Sequence, residues 1–402
     1  MQTKYDRFEG EWEALAEMAT LELGERGRRA TSSVASFRVE FIRDWSQAAR
    51  FGNNAGNATS FQHRHWLDAW YGAFDAPAPL IAVISDTATQ GPVALVPLIC
   101  REQNGILVVE FADLGVSDYN APILAPDAPH DFAGVRAMNR TLLAALRRLP
   151  DRPDLIRLKK MPAEIQGRPN PLVAAGWTGS CSLKGNLIEV GGDFQAYRYS
   201  IRKMQLPRCW RVFTRFPGAR FQIATTVDQA LRFLDVMDVQ QRERMKKLGQ
   251  RFVLDDISHA RFYRDVVRRG VAEGYAVVSA LICDDGIVAT TMGIRNGNHY
   301  SLLRTSNAGS RWSNCSPGLL CVEQTMAGLH EQGVREFDLS IGNYDYKLRF
   351  GAKPLPLTDV SIALSWRGVP YALRDRVAQR LRRYPLLARS VRQAVGAATK
   401  PH

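Results

Sequence analysis

The stretch YAVVSALICDDGIVATTMGIRNGNHYSLLR, residues 275–304, decides the fold. It contains three apolar, strand-like runs: Ala276–Ile282, Ile287–Arg295 and His299–Arg304. Asp284-Asp285-Gly286 separates the first pair, and Asn296-Gly297 the second. Asp-Gly and Asn-Gly tolerate the positive backbone angles of tight hairpin turns, so the runs are expected to fold back as an antiparallel meander. Downstream, Ser316-Pro317-Gly318-Leu319-Leu320 opens a helix, with Ser as a preferred cap and Pro suited to the first helical position. A short strand, Glu336-Phe337-Asp338-Leu339, and then Gly342-Asn343-Tyr344-Asp345-Tyr346-Lys347 complete the unit.

The same order occurs earlier in the chain. Leu80–Ser85, Val93–Cys100 and Ile106–Phe111 read as strands, with turns at Asp86–Gly91 and Gln103-Asn104-Gly105. A loop with Ser117-Asp118-Tyr119-Asn120 follows, then a helix over Ala133–Leu149 and a strand over Leu155–Lys159. The repeat predicts two copies of one α/β (α+β) unit, each a mixed, mostly antiparallel sheet flanked by helices. Outside it, Phe37–Ile42 reads as a strand and Phe61–Phe74 as a helix capped by Thr59 or Ser60, with Trp66 and Trp70 at helical spacing. Thr226 or Asp228 opens a helix to Leu248, a second helix covers Ser258–Ala272, and Val360–Ser365 is a late strand.

Length and composition set the frame. The 402 residues are 46% hydrophobic and 23% charged, enough for two globular domains. The expected division is an N-terminal extension (1–36, with a helix around Trp12–Leu23), two domains (37–192 and 193–370) and a basic amphipathic helix (371–402). The acid-rich start (Asp6, Glu9, Glu11, Glu13, Glu17) does not read as a secretory signal, and no apolar run has membrane-spanning length. The six cysteines include no Cys-x-x-Cys pair, so reduced, buried thiols in a cytoplasmic protein are expected rather than disulfides or zinc. His63-x-His65 has no third ligand nearby, and no metal is expected. Ser-His-Asp elbows, phosphate-binding Walker loops and dinucleotide fingerprints are absent.

Net charge is +13, which points to an anionic partner. One acid-free cluster is Arg198, Arg202, Lys203, Arg208, Arg211, Arg215 and Arg220. Another lies at Arg374, Arg376, Arg380, Arg382, Arg383, Arg389 and Arg392, on a helix with Leu373, Val377, Leu381, Leu387 and Val391. Basic amphipathic helices lie on anionic lipid, so 371–395 is a candidate peripheral membrane contact.

Several residues can carry chemistry. The backbone N–H groups and dipole of a helix starting at Ser316-Pro317-Gly318-Leu319 attract phosphate, and Arg311 can pair with a phosphate oxygen. Asp338, between apolar neighbours, is a candidate general base with a raised pKa. Tyr344 and Tyr346 are candidate acids for a leaving group, and Lys347 is a candidate contact for cofactor phosphate. Asp118, Tyr119 and Asn120 are candidate substrate contacts from the first copy. For each, a purely structural role is the competing reading.

Taken together, residues 200–351 resemble the GNAT-fold acetyltransferase domain of the CelD type, named for cellulose biosynthesis. The resemblance rests on Ser200-Ile201-Arg202-Lys203, Tyr275, Asp285-Gly286-Ile287-Val288-Ala289, Ser316–Leu320, Phe337-Asp338-Leu339, and Gly342 before Tyr346-Lys347. Upstream, Ser60-Phe61-Gln62 with Trp66 and Trp70, and Ser117-Asp118-Tyr119, extend it over 37–366. The architecture is similar to FemABX peptidyltransferases, which carry tandem GNAT domains with the active site between them. The resemblance implies acetyl (or other acyl) transfer from acetyl-CoA to an amine or hydroxyl of a small molecule or saccharide, linked to polysaccharide production. One departure is that the usual GNAT phosphate loop is replaced by a longer Arg311–Gly318 segment with one Gly. Two alternatives stand beside this reading. One is FemABX-like transfer from aminoacyl-tRNA, with the 198–220 cluster gripping RNA, although no coiled-coil heptads are present. The other is a non-catalytic membrane-surface adaptor.

Overall fold

The computed structural model describes residues 36–52, 57–75, 78–174 and 179–382. The expected helix at Trp12–Leu23 and the C-terminal helix beyond Arg382 lie outside the described residues. The first copy runs β1 (Phe37–Ile42), α1 (Trp45–Gly52), α2 (Arg64–Ala73), β2 (Ala78–Pro79), β3 (Ile81–Asp86), β4 (Pro92–Val96), β5 (Leu98–Gln103), β6 (Ile106–Phe111), β7 (Ile123–Leu124), α3 (Phe132–Arg147) and β8 (Leu155–Pro162). A small hairpin, β9 (Glu164–Ile165) and β10 (Arg168–Pro169), then α4 (Pro171–Ala174) and β11 (Ser180–Glu189), lead onward. The second copy runs α5 (Phe194–Ser200), α6 (Leu206–Phe213), β12 (Arg220–Ile223), α7 (Val227–Lys247), α8 (Ile257–Gly270), β13 (Ala276–Cys283), β14 (Gly286–Asn296), β15 (His299–Asn307), α9 (Pro317–Glu331), β16 (Glu336–Asp338), α10 (Asp345–Arg349), β17 (Lys353–Ala363) and α11 (Val369–Arg382).

The hairpins form as the turn chemistry requires, but in the first copy the expected strand Val93–Cys100 is split at Pro97 into β4 and β5, which pair in different sheets. Cys283 pairs with Gly286 and Asn296 with His299, which closes the two hairpins of the second copy. In the first copy Gln103 pairs with Ile106, and the loop residues Asn104 and Gly105 both take positive φ (52° and 77°), the conformation Asn and Gly adopt at least cost. Thr226 caps α7 by accepting the Gln229 N–H at 3.3 Å. Asp131 caps α3 through the Gly134 N–H at 2.9 Å.

The sheets merge where the copies meet. Among the described residues, one sheet has the order β1-β3-β4-β7, and an 11-stranded sheet has the order β12-β13-β14-β15-β16-β11-β17-β8-β6-β5-β2. Strand β11 leaves the first copy and lies between β16 and β17 of the second, with Leu187 opposite both Asp338 and Lys353. Strand β17 leaves the second copy and pairs with β8 of the first, Ser361 opposite Arg157. The copies therefore exchange their last strands, and a chain boundary near residue 192 does not divide the sheet.

The α2–α8 contact also joins them through an aromatic core. Trp66 meets Phe262 edge-on at 4.8 Å and Phe61 at 5.1 Å, all fully buried. Truncating a buried Trp of this kind to Ala costs about 3–5 kcal/mol. This core thus spans both copies, and the six cysteines are unpaired thiols, four of them buried.

Candidate active site

Two parallel strands that separate create the site. β15 and β16 pair only at His299–Glu336, Tyr300–Phe337 and Ser301–Asp338. Beyond that point β15 continues to Asn307 while the segment after β16 turns away through Leu339, Ser340 and Ile341. A cleft of about 870 Å³ opens between them. Its walls include Leu302–Thr305 of β15, Gln241 and Arg244 of α7, and the start of α9. On the β15 side the register against β14 slips, Met292 facing Arg304 and Gly293 facing Leu302, so Leu303 is an extra, bulged residue. Bulges re-aim backbone groups, and both Leu302 and Leu303 line the cleft.

The start of α9 faces this space through Ser316, Pro317, Gly318 and Leu319. By helix geometry the first N–H groups have no intrahelical acceptor, and Pro317 has none to offer. The expected Ser cap is corrected, however. Ser316 takes a left-handed conformation (φ 44°, ψ 56°), and its side chain makes no cap hydrogen bond. A capping Ser needs extended backbone to reach the N–H two or three residues on, and Ser316 instead ends a tight turn over Ser310–Cys315. A Cβ at Gly318 would meet Asn307 Nδ2 at 3.4 Å and Thr305 Oγ1 at 3.9 Å, so the glycine leaves a polar recess open. Thr305 Oγ1 is buried there with no partner among the described residues.

The first copy contributes Asp118, the one carboxylate among the described residues lining the cleft. Its loop is held by the aromatic helix α2. Trp66 Nε1 donates to Ser117 Oγ at 3.0 Å, Trp70 Nε1 to Asp113 O at 3.2 Å, and Gln62 Nε2 to Tyr119 O at 3.2 Å. Asn120 adds donations from Nδ2 to Asp113 Oδ2 and Lys159 O, both 3.1 Å. Burial pushes Asp118 up to about 6, resisted by the Ser340 hydroxyl and the Lys160 and Lys347 ammoniums and reinforced by the Asp338 charge.

Asp338 occupies a different place from the one its sequence context suggested. It is fully buried behind the cleft and does not line it. Its Oδ1 accepts the Ser340 N–H at 2.6 Å, and the hydroxyl of Tyr119 and the ring of His299 (3.9 Å) face it. Burial raises its pKa. In this position Asp338 fixes the Ser340 turn and places negative charge behind Asp118. Tyr119 is buried against Phe61 and Asp338, and Asn120 braces the loop, so neither reaches the cleft.

Tyr344 and Tyr346 both line the cleft, rings stacked at 6.1 Å. Tyr344 is largely exposed, whereas burial pushes Tyr346 up to about 12. Lys347 is buried, and its Nζ donates to Ser340 O (3.0 Å) and Ile341 O (2.7 Å), which ties down the diverging segment. Burial lowers its pKa while Asp118 and Asp338 oppose that. Arg311 points elsewhere. It pairs with Asp285 at 2.5 Å on the surface and does not line the cleft. Arg244 and Arg304 were not foreseen from sequence and line it alongside Lys347. Arg304 is held by Asp238 (2.6 Å) and Gln241 (2.6 Å), leaving Nη1 without a partner among the described residues. No group of three or more His, Cys, Asp or Glu suited to a metal occurs among the described residues.

A helix start, a strand bulge, a raised carboxylate and two phenols around one cleft form a constellation suited to group transfer. Known proteins place it in context. No curated protein matches this chain. Among solved structures, FemX has a TM-score of 0.58 at 9% identity, covering 84% of this chain and 100% of its own. A conserved protein of unknown function from Bacteroides thetaiotaomicron has a TM-score of 0.49 at 13% identity, covering 81% and 100%. A tandem GNAT protein from the clavulanic acid biosynthesis pathway has a TM-score of 0.43 at 12% identity, covering 82% and 99%. Residues 200–348 match the family described as acetyltransferase (GNAT) domain, and most of the chain shares its fold with FemX.

Proposed function

We propose that this transferase is an N- or O-acyltransferase that moves an acyl group, most simply acetyl, from acyl-CoA to an amine or hydroxyl of a small molecule or saccharide. The observation that carries the proposal is Asp118, a carboxylate with a pKa near 6 sharing one cleft with the start of α9. The N–H groups after Pro317 hold the pyrophosphate, and Gly318 lets it approach. Asp118 takes the proton from the acceptor, whose N or O attacks the thioester carbonyl. The backbone N–H of the Leu303 bulge meets the developing oxyanion. The C–S bond then breaks, and Tyr346, protonated at neutral pH, gives its proton to the leaving thiolate. Proton return from Asp118 through solvent restores the phenol. Much of the rate comes from holding the two reactants in attack geometry.

Calorimetric titration with acetyl-CoA tests the donor. A one-to-one micromolar signal that Gly318→Glu abolishes supports the proposal, and the absence of heat refutes it. A second reading, transfer from aminoacyl-tRNA, is favoured by Arg202, Lys203, Arg208, Arg211, Arg215 and Arg220. All six are exposed, and none forms an ion pair among the described residues. Steeply salt-dependent RNA binding would support it.

Peripheral contact with an anionic membrane is part of the same proposal. Trp366, Val369, Leu373 and Val377 are exposed along α11 and the turn before it, flanked by exposed Arg367, Arg374, Arg376 and Arg380. No helix among the described residues is long and apolar enough to cross a membrane. Liposome co-sedimentation that persists unchanged after deletion of 366–402 would remove this contact. The link to cellulose or other polysaccharide production rests on the resemblance alone.

A further inference from the structure

The first copy contains its own version of the strand separation, and it too leaves a cavity. β6 and β8 pair in parallel only at Val108–Leu155 and Val109–Ile156. Past that point a space of about 510 Å³ opens between Phe111–Gly115 and Lys159–Lys160. β11 and α11 wall its other sides. No helix N-terminus faces it, because α3 begins elsewhere, capped by its own Asp131.

The lining charges largely cancel in pairs. Arg101 bonds Glu110, Arg157 Nε donates to Asp375 at 2.8 Å, and Lys160 Nζ lies 2.6 Å from Asp113. What remains unmatched is polar but neutral in sum. Arg157 Nη2, on a residue 7% exposed, is a buried donor without a partner among the described residues. Asn120 Oδ1, on a residue 1% exposed, is a buried acceptor in the same condition. Both residues line the cavity. Buried polar atoms of this kind are ordinarily satisfied, so the pair marks a place for a group that can accept and donate. The two remaining lining charges, Lys159 and Asp359, the latter accepting the Lys160 N–H at 3.0 Å, are opposite in sign, so the cavity offers no net charge to an ionic ligand. A hydroxyl accepts from Arg157 and donates to Asn120 without disturbing the ion pairs.

We propose that the first copy's cleft is a binding site for a small, neutral, hydroxyl-rich molecule, a polyol or free sugar. This goes beyond the acyl-transfer reading and does not depend on it. The site has a direct line to the catalytic cleft. Asp113 and Asn120 face the first cavity and Asp118, on the same loop, faces the second. Lys160, in the wall between, pairs with Asp113, and its charge acts on Asp118.

Saturation-transfer NMR on the full chain tests this, with myo-inositol, glucose and N-acetylglucosamine as probes at millimolar concentration. Ser182, exposed on β11 at the edge of the cavity, is the position for a blocking variant. Ser182→Trp fills the mouth without touching a buried polar group. The expected result is saturation transfer to at least one probe in the wild type and in Gly318→Glu, reduced at least fivefold by Ser182→Trp. Arg157→Lys keeps the charge, removes Nη2 and is expected to weaken binding about tenfold, with the fold checked by circular dichroism. No transfer to any probe overturns the proposal. So does transfer that survives Ser182→Trp, or that is lost in Gly318→Glu alone.

Discussion

The two clefts of this molecule are made in the same way and furnished differently. In each, two parallel strands pair over two or three residues and then part. The second cleft receives a helix start, a bulged strand, two tyrosines and a carboxylate lent by the first copy. The first receives cations and carboxylates that neutralise one another, under a helix from the far end of the chain. Strand separation thus supplies the space, and the chemistry depends on what leaves the strand ends. The difference also explains why Asp118 matters, because it is the point where the first copy takes part in the second copy's cleft.

The sharpest way to break this comparison is Asp118→Asn. If the first copy supplies the base, CoA release from acetyl-CoA in the presence of an acceptor should fall by at least about 100-fold. The wild-type rate should rise with pH through about 6 as Asp118 loses its proton, and the variant should lack that limb. Stability moves the other way. A carboxylate raised from 3.8 to about 6 destabilises the native state increasingly as pH rises across that window, so the variant's melting temperature should exceed the wild type's above pH 6 and converge with it near pH 4.

Gly318→Glu should weaken acetyl-CoA binding by at least about tenfold, read by calorimetry, since a carboxylate would fill the recess beside Thr305 and Asn307 and repel phosphate. An equal loss from Ser182→Trp would place the donor in the first cleft and invert the assignment. Tyr346→Phe should lower kcat roughly tenfold with little change in KM, a loss of proton donation alone. Tyr344→Phe, at the exposed ring, should change it less. The smallest effect separates a catalytic from a positioning carboxylate. Asp338→Asn keeps an acceptor for Ser340 and removes charge from behind Asp118. The acidic limb should move to lower pH, with kcat at pH 8 within about threefold of wild type. A collapse of kcat at all pH values would return the base to Asp338.

Much of this architecture was legible from local chemistry. Asp-Gly and Asn-Gly fix hairpins within a few residues, and they located the second copy's meander and the β5–β6 hairpin of the first, whereas the break at Pro97 that sends β4 and β5 to different sheets was not legible. The helix at 317 also followed from a short motif, and a cleft shared by Asp118, Tyr344 and Tyr346 agrees with the repeat rather than with any local motif. The exchange of β11 and β17 followed from neither. Their pairing is non-local, and β17 contains Pro354 and Pro356, which cannot donate ladder hydrogen bonds and argue against a central strand. The late strand expected at Val360–Ser365 was therefore the visible end of Lys353–Ala363. Asp338 misled for a related reason. Its apolar neighbours signal burial, but only the register against Leu187 reveals that it lies behind the cleft. The Leu303 bulge left no mark in the sequence at all.

The exchanged strands have a consequence during synthesis. β8 waits for β17, so the first half emerges from the ribosome with an open ladder that only residues 353–363 can close. β11 is held in the same suspense until 336–338 and 353–358 arrive. A truncated or stalled chain would display two unsatisfied edges of the kind that recruit other strands. For this protein, elongation speed through the second half and access to a holding chaperone should govern yield more than the stability of the finished sheet.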